Sequence, residues 1–282
     1  MSEENWDLII KPRNKWYQLD LKSVWDYRDL LFLLVRRDFV SVYKQTILGP
    51  LWLFIQPVIT TLIYVIIFGQ IARLSTGGIP PMLFYLSGIT LWTYFADCLN
   101  KTSGTFISNA GVFGKVYFPR LIMPLSVLVS NLIKLAIQMT LFLILWVYYL
   151  MRDGNIHPHY NYLLFIPFLI LIMAGLGFGF GILISSLTTK YRDLVFLVGF
   201  GVQLMMYASP IVYPLSIVPE KYKTLILLNP VTSIIEGFKF IFLGIGDWNW
   251  TALLYSFGFM SVIILLAVIV FKKTEKSFMD TV

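Results

Sequence analysis

No stretch of this 282-residue chain forms a Gly-x-x-x-x-Gly-Lys-Ser/Thr phosphate loop. Its Gly114-Lys115 pair lacks both the upstream glycine and the following hydroxyl residue. Nucleotide hydrolysis on that kind of loop is therefore excluded. Charge is scarce, at 13% against roughly 25% in soluble domains. The one cysteine, Cys98, has no internal partner for a disulfide. The two histidines, His157 and His159, flank Pro158 with no third ligand, which argues against a metal centre. No loop gathers the acidic cluster that a membrane glycosyltransferase needs. Residues 1–15 are polar and charged, so no removable signal peptide is expected.

What is abundant is apolar length. Hydrophobic residues make up 58% of the chain, and six apolar runs cover 50–69, 81–99, 121–150, 162–187, 194–214 and 250–271. Each approaches the roughly 20 residues that cross about 30 Å of hydrocarbon as a helix. Strands of a barrel would be about 10 residues long and alternate in polarity, whereas these runs are apolar on every side. Backbone groups find no water in lipid, so the expected fold is an all-α integral membrane protein with six transmembrane helices.

Lysine and arginine set the orientation. Sixteen of the 22 basic residues fall before the first run, in the second-to-third and fourth-to-fifth connections, or after the last run. Both termini are thus expected on the cytoplasmic side. The net charge of +7 reads as a topology signal, with membrane lipids as neighbours and no nucleic-acid partner.

Three segments outside the runs carry further information. Residues 23–45 read as an amphipathic interface helix. Val24, Tyr27, Leu31, Leu34, Val35 and Val42 recur at helical spacing among Arg28, Arg36, Arg37 and Lys44. Its start, Ser23 with Asp26 three residues on, is like a capping box. Residues 100–120 are too polar to span and too apolar to idle, as expected of a short cytoplasmic helix pressed against another protein, with a surface-lying loop as the alternative. Residues 211–246 are apolar yet broken by Pro214, Pro219, Pro230 and Gly237. Two short helices at about 220–228 and 231–243 would dip into the membrane and return, a re-entrant gate over about 215–246. Such backbone is tolerated where protein or a water-filled cavity covers it. The organisation is then a cytoplasmic region 1–49, a transmembrane domain 50–271 and a cytoplasmic tail 272–282.

With these pieces placed, the chain resembles the permease subunit of the bacterial polysaccharide ABC exporters, which serve O-antigen, capsule and teichoic acid. Arg37-Asp38, then Tyr43-Lys44-Gln45-Thr46-Ile47-Leu48-Gly49-Pro50-Leu51-Trp52 and Pro57, resemble the family's approach to its first span. Val42 stands where that pattern usually has arginine. Asn109, Gly114-Lys115-Val116-Tyr117-Phe118-Pro119-Arg120 and Pro124-Leu125 are similar to a second signature. Tyr191-Arg192-Asp193, Ser209-Pro210-Ile211, Tyr213-Pro214 and Leu228-Asn229-Pro230 are similar to a third. The resemblance implies a homodimer with two separate ATP-binding cassette subunits. ATP and Mg would be bound in the partner, no cofactor in this chain, and the chain itself would be no enzyme. It further implies that Arg37, Asp38, Ser108, Asn109 and Lys115 receive the ATPase stroke.

A conduit for a lipid-linked polysaccharide needs aromatic faces beside hydrogen-bonding groups. Trp52, Gln56, Thr60, Tyr64 and Phe68 lie four residues apart, a stripe that advances about 40° per step. Phe196, Phe200, Gln203 and Tyr207 form a similar face. These nine are the expected lining; interfacial belts and plain helix packing are the alternative for the same residues. Arg36, Arg37, Lys44, Lys115 and Arg120 are candidates for a carrier phosphate, because guanidinium and ammonium groups suit phosphate oxygens. Lys134, within a span, is expected to pair with Asp97, to be hydrated, or to face the conduit. Gly175, Gly177, Gly179 and Gly181 read as close helix packing. Glu236 and Lys239 read as a surface or gate ion pair. Rival readings are an exporter of the same architecture for teichoic acid, a drug or a small lipid, and, in a different class, a passive channel or scaffold.

Overall fold

The computed structural model describes residues 21–44, 46–113, 116, 118–152, 156–191 and 193–278. Every regular element among them is helical. The chain opens with α1 (Leu21–Asp26) and α2 (Arg28–Tyr43), followed by a 3-10 turn at Gly49–Leu51. Then come α3 (Trp52–Tyr64), extended by a π-helical Val65–Ile71, and α4 (Pro81–Ser103). Two single turns, α5 (Thr105–Ser108) and α6 (Ala110–Phe113), lead to α7 (Ile122–Arg152). A 3-10 turn at Tyr160–Phe165 runs into α8 (Ile166–Thr188), and α9 (Leu194–Tyr207) follows. The last helices are α10 (Glu220–Leu227), α11 (Pro230–Leu243) and α12 (Trp250–Phe278).

Among the described residues, five helical stretches are long and apolar enough to cross a membrane: Gly49–Ile71, Pro81–Ser103, Ile122–Arg152, Tyr160–Thr188 and Trp250–Glu275; the bent pair Glu220–Leu227 and Pro230–Leu243, taken as one span, makes a sixth. The hydroxyls inside α3 do not face hydrocarbon unpaired. Thr60 donates to the Gln56 carbonyl at 2.9 Å and Thr61 to the Pro57 carbonyl at 2.7 Å.

α4 is the axis of the packed core. It carries buried residues around its circumference and packs against α3, α7, α8, α9 and α11. Glycine lets α8 come close on two sides. A Cβ on Gly177 would lie 2.9 Å from Cys98 Cβ, and one on Gly181 would lie 2.6 Å from Thr102 Cβ, both on α4. Gly175 and Gly179 meet Met260 and Ile263 of α12 in the same way. The alternating glycines thus seat α8 between α4 and α12, the packing role expected of them. Lys134 of α7 reaches Asp97 of α4 at 2.7 Å, the pairing that a lone cation in an apolar run calls for.

At one end of the bundle, α2 and the C-terminal part of α12 share a cluster of Leu34, Phe106, Phe113, Phe118, Ile122, Met123, Ile182, Ala267 and Phe271. Three aromatic residues of the 100–120 segment therefore pack inside this chain and not against another protein. Among the described residues of the segment, Ile107, Val112 and Val116 are the exposed large apolar ones.

The opposite end departs from the expectation of a continuous fifth run. α9 stops at Tyr207, 14 residues long and so about 21 Å. Pro210 has no N–H to continue it, and residues preceding proline avoid the helical region. The carbonyls freed by this break find side chains. Lys239 Nζ donates to Pro210 O at 2.6 Å, and Asn229 Nδ2 donates to Ser209 Oγ at 2.9 Å and to Ala208 O at 3.4 Å. α10 and α11 meet at an angle of 100°. Asn229 caps α11 by accepting the Val231 N–H at 3.1 Å, with Pro230 in the first turn. Thr232 donates to Ile226 O, Tyr255 to Leu228 O and Ser256 to Pro230 O. Nearly every side chain of α11 is buried, and Gly244 (φ 73°) ends it where a Cβ would overlap the His157 carbonyl.

Candidate functional site

The two expected lining faces lie on the outside of the single chain's core. Trp52 and Gln56 are exposed, Thr60, Tyr64 and Phe68 are half-buried, and Phe196, Phe200, Gln203 and Tyr207 are exposed. Phe196 retains 82% of its surface and Phe200 61%, and Val202 is the buried residue of α9. Helices α3 and α9 flank α4, and Tyr64 links them, its hydroxyl 3.4 Å from the Met206 sulfur. Its ring stands edge-on to Phe68 at 5.3 Å and to Tyr85 at 6.2 Å. Tyr213 donates to the Tyr207 carbonyl at 3.1 Å. The upper part of both faces is thus anchored in a tyrosine-rich contact, and the remainder is open.

The expected coupling and phosphate residues divide by environment. Arg37 donates twice to Asp38 Oδ1, at 3.0 and 2.8 Å, while Ser41 donates to the Asp38 carbonyl. Arg36 and Lys44 are exposed. Ser108 is exposed; Asn109 is half-buried, its amide donating to the Thr105 carbonyl at 2.9 Å. Lys115, like Arg192, lies outside the described residues. Arg120 is 7% exposed. Its Nη1 donates to the Glu275 carbonyl at 2.9 Å, its Nε sits 3.8 Å from the Glu275 carboxylate, and its guanidinium lies 5.5 Å from the Phe113 ring centre. It thus ties α12 to the α6 turn.

Some polar residues that the sequence reading passed over prove prominent. Lys101 donates to Asn131 Oδ1 at 3.0 Å, beside a cavity of about 200 Å³ between α2, α4 and α7. The signal was available: Lys101 and Asn131 lie one turn from Asp97 and Lys134 on the same two helices. Glu236 and Lys239, read as a surface or gate pair, are 5% and 1% exposed. Lys239 turns to the Pro210 carbonyl and stands 3.7 Å over the Phe84 ring. The reason is the α9 break, whose bare carbonyl competes for the ammonium.

Comparison with known proteins decides the family. The family model described as ABC-2 type transporter matches residues 29–243, from the start of α2 to the end of α11. The chain belongs to the ABC-2 type transporter family. This multi-pass permease is 31% identical over 254 residues to an O-antigen export system permease protein RfbA of Klebsiella pneumoniae, covering 89% of this chain and 94% of the relative. It is 29% identical over 224 residues to the RfbA of Myxococcus xanthus, with 79% and 83% covered. It is 26% identical over 216 residues to the polysialic acid transport protein KpsM of Escherichia coli, with 74% and 78% covered. The expected resemblance is thereby established at the level of the family.

Proposed function

We propose that this ABC-2 permease exports a lipid-linked polysaccharide, O-antigen by preference, across the bacterial cytoplasmic (inner) membrane. The observation that carries the reading is the similarity to O-antigen export permeases along nearly the whole chain. Transport is driven by a separate pair of ATP-binding cassette subunits that bind ATP and Mg; this subunit is the passage and not the enzyme. Two copies form the passage. Gln56 and Gln203 sit on exposed faces of apolar helices, and a side-chain amide left facing hydrocarbon costs several kcal/mol. A second copy and the water between them remove that cost, placing the aromatic residues of α3 and α9 along a shared lumen.

Both termini lie on the cytoplasmic side, following the distribution of lysine and arginine. That places α2, α5 and α6 where the ATPases dock, with Ile107, Val112 and Val116 as the contact surface. Arg37, Asp38, Ser108, Asn109 and Lys115 belong to this transmission region. Arg36 and Lys44, both exposed, are the proposed contacts of the carrier phosphate. The bent α10–α11 pair forms the gate at the opposite face.

The test is ATP hydrolysis by this chain reconstituted with its co-encoded ATPase, with and without lipid-linked polysaccharide. Stimulation by the glycan, lost when 37–44 is scrambled, is the expected outcome. A stable complex that ignores the glycan would contradict the substrate, and failure to form any complex would contradict the transporter reading.

A further inference from the structure

At the α11 end, the 214–216 segment, α10, α11 and the 245–247 loop close around a cavity of about 390 Å³, within the roughly 300–1,000 Å³ of small-molecule sites. Its polar lining is Ser216, Lys223, Glu236, Lys239 and Asp247, and Phe84 contributes to the apolar wall. Glu236 is 5% exposed, and its Oε1 has no hydrogen-bond partner among the described residues. A buried carboxylate oxygen without a donor is costly, and Glu236 borders the cavity, where an occupant rich in hydroxyls can supply a donor to its carboxylate. Lys239 is committed to Pro210 and Phe84, and Lys223 reaches Glu220 at 3.3 Å. Gly246 (φ 87°) lets the loop rest on the carboxylate, since a Cβ there would lie 2.7 Å from Glu236 Oε2.

The charge pattern selects the occupant. An anion would meet the carboxylates of Glu236 and Asp247. A metal ion would meet the Lys239 ammonium, and no group of three metal-binding side chains exists among the described residues. A neutral ring rich in hydroxyls meets neither obstacle. It donates to Glu236 and Asp247, accepts from Ser216, and lays its CH face on the apolar wall. We infer that this cavity binds a single glycosyl unit at the gate, an assignment that rests on the export reading above.

Saturation-transfer NMR on the full permease in nanodiscs tests it, with glucose, galactose, mannose and N-acetylglucosamine as probes. At least one sugar should receive saturation, falling about fivefold or more in Glu236→Leu and at least twofold in Asp247→Asn. Asp247 lies at the exposed mouth, so its variant answers even if Glu236→Leu does not fold. Absence of transfer to all four sugars, or transfer undiminished in the folded variants, would overturn the site. If polysaccharide still stimulates hydrolysis by the assembled exporter in that case, the cavity assignment alone has failed. If that stimulation is missing, the export reading has failed, whatever the sugars do.

Discussion

Gly181 has no room for a side chain: a Cβ there would lie 2.6 Å from Thr102 Cβ and 3.2 Å from the Leu99 carbonyl. Gly258, in the exposed part of α12, has nothing within 4 Å. Gly181→Val should therefore cost about 1–3 kcal/mol by overpacking, read as a lower unfolding temperature in detergent, while Gly258→Ala stays neutral or slightly stabilising. Arg120 offers a second contrast. Its short bond goes to the Glu275 backbone, and the carboxylate is farther away at 3.8 Å. Arg120→Leu should uncouple hydrolysis from glycan severalfold while the complex survives; Glu275→Gln should change little. Equal losses from both variants would place the connection in the ion pair instead. Lys134 and Asp97 were legible as a pair because an ammonium in an apolar span needs a partner on a neighbouring helix. The burial of Glu236 and Lys239 was not legible, because their spacing says only that they share a face. The carbonyl that captures Lys239 is created by a break in a different helix.

Among the elements, the long spans were legible because apolar length alone decides them in lipid. α9 was not, since the 194–214 run stays apolar past Tyr207 and Pro210 sets its end. The 100–120 segment yielded two single turns, with Phe106 and Phe113 folded into the chain's own cluster. Composition shows that such residues are covered but does not say by what. The α10–α11 bend was legible from the proline breaks, Pro219 and Pro230 above all, which divide an apolar stretch into pieces too short to span. Asn229 also holds the end of α9 through Ser209, so one residue serves two elements. Asn229→Ala should cost about 1–2 kcal/mol for the lost cap and speed proteolysis of the 208–230 region. Unchanged protease sensitivity would mean that the other bonds hold the bend without it.

For the whole molecule, one chain presents a packed core built around α4 and leaves α3 and α9 largely uncovered. Gln56, Phe196, Phe200 and Gln203 lie outside that core, while Tyr64 and Phe68 pack partly against it; in the proposed dimer a second copy covers the exposed part. The sequence pattern marked these two stripes but not their relative placement, which their common packing on α4 and the Tyr64–Met206 contact set. Gln56 and Gln203 are the residues whose role separates a hydrated passage from a lipid-facing surface. The decisive measurement is ATP-dependent movement of lipid-linked polysaccharide into inside-out vesicles carrying this permease and its ATPase. Gln56→Leu and Gln203→Leu should slow movement severalfold while dimer and complex remain intact. Movement at the unaltered rate in both variants would contradict the proposed lumen, and movement without ATP would contradict the exporter.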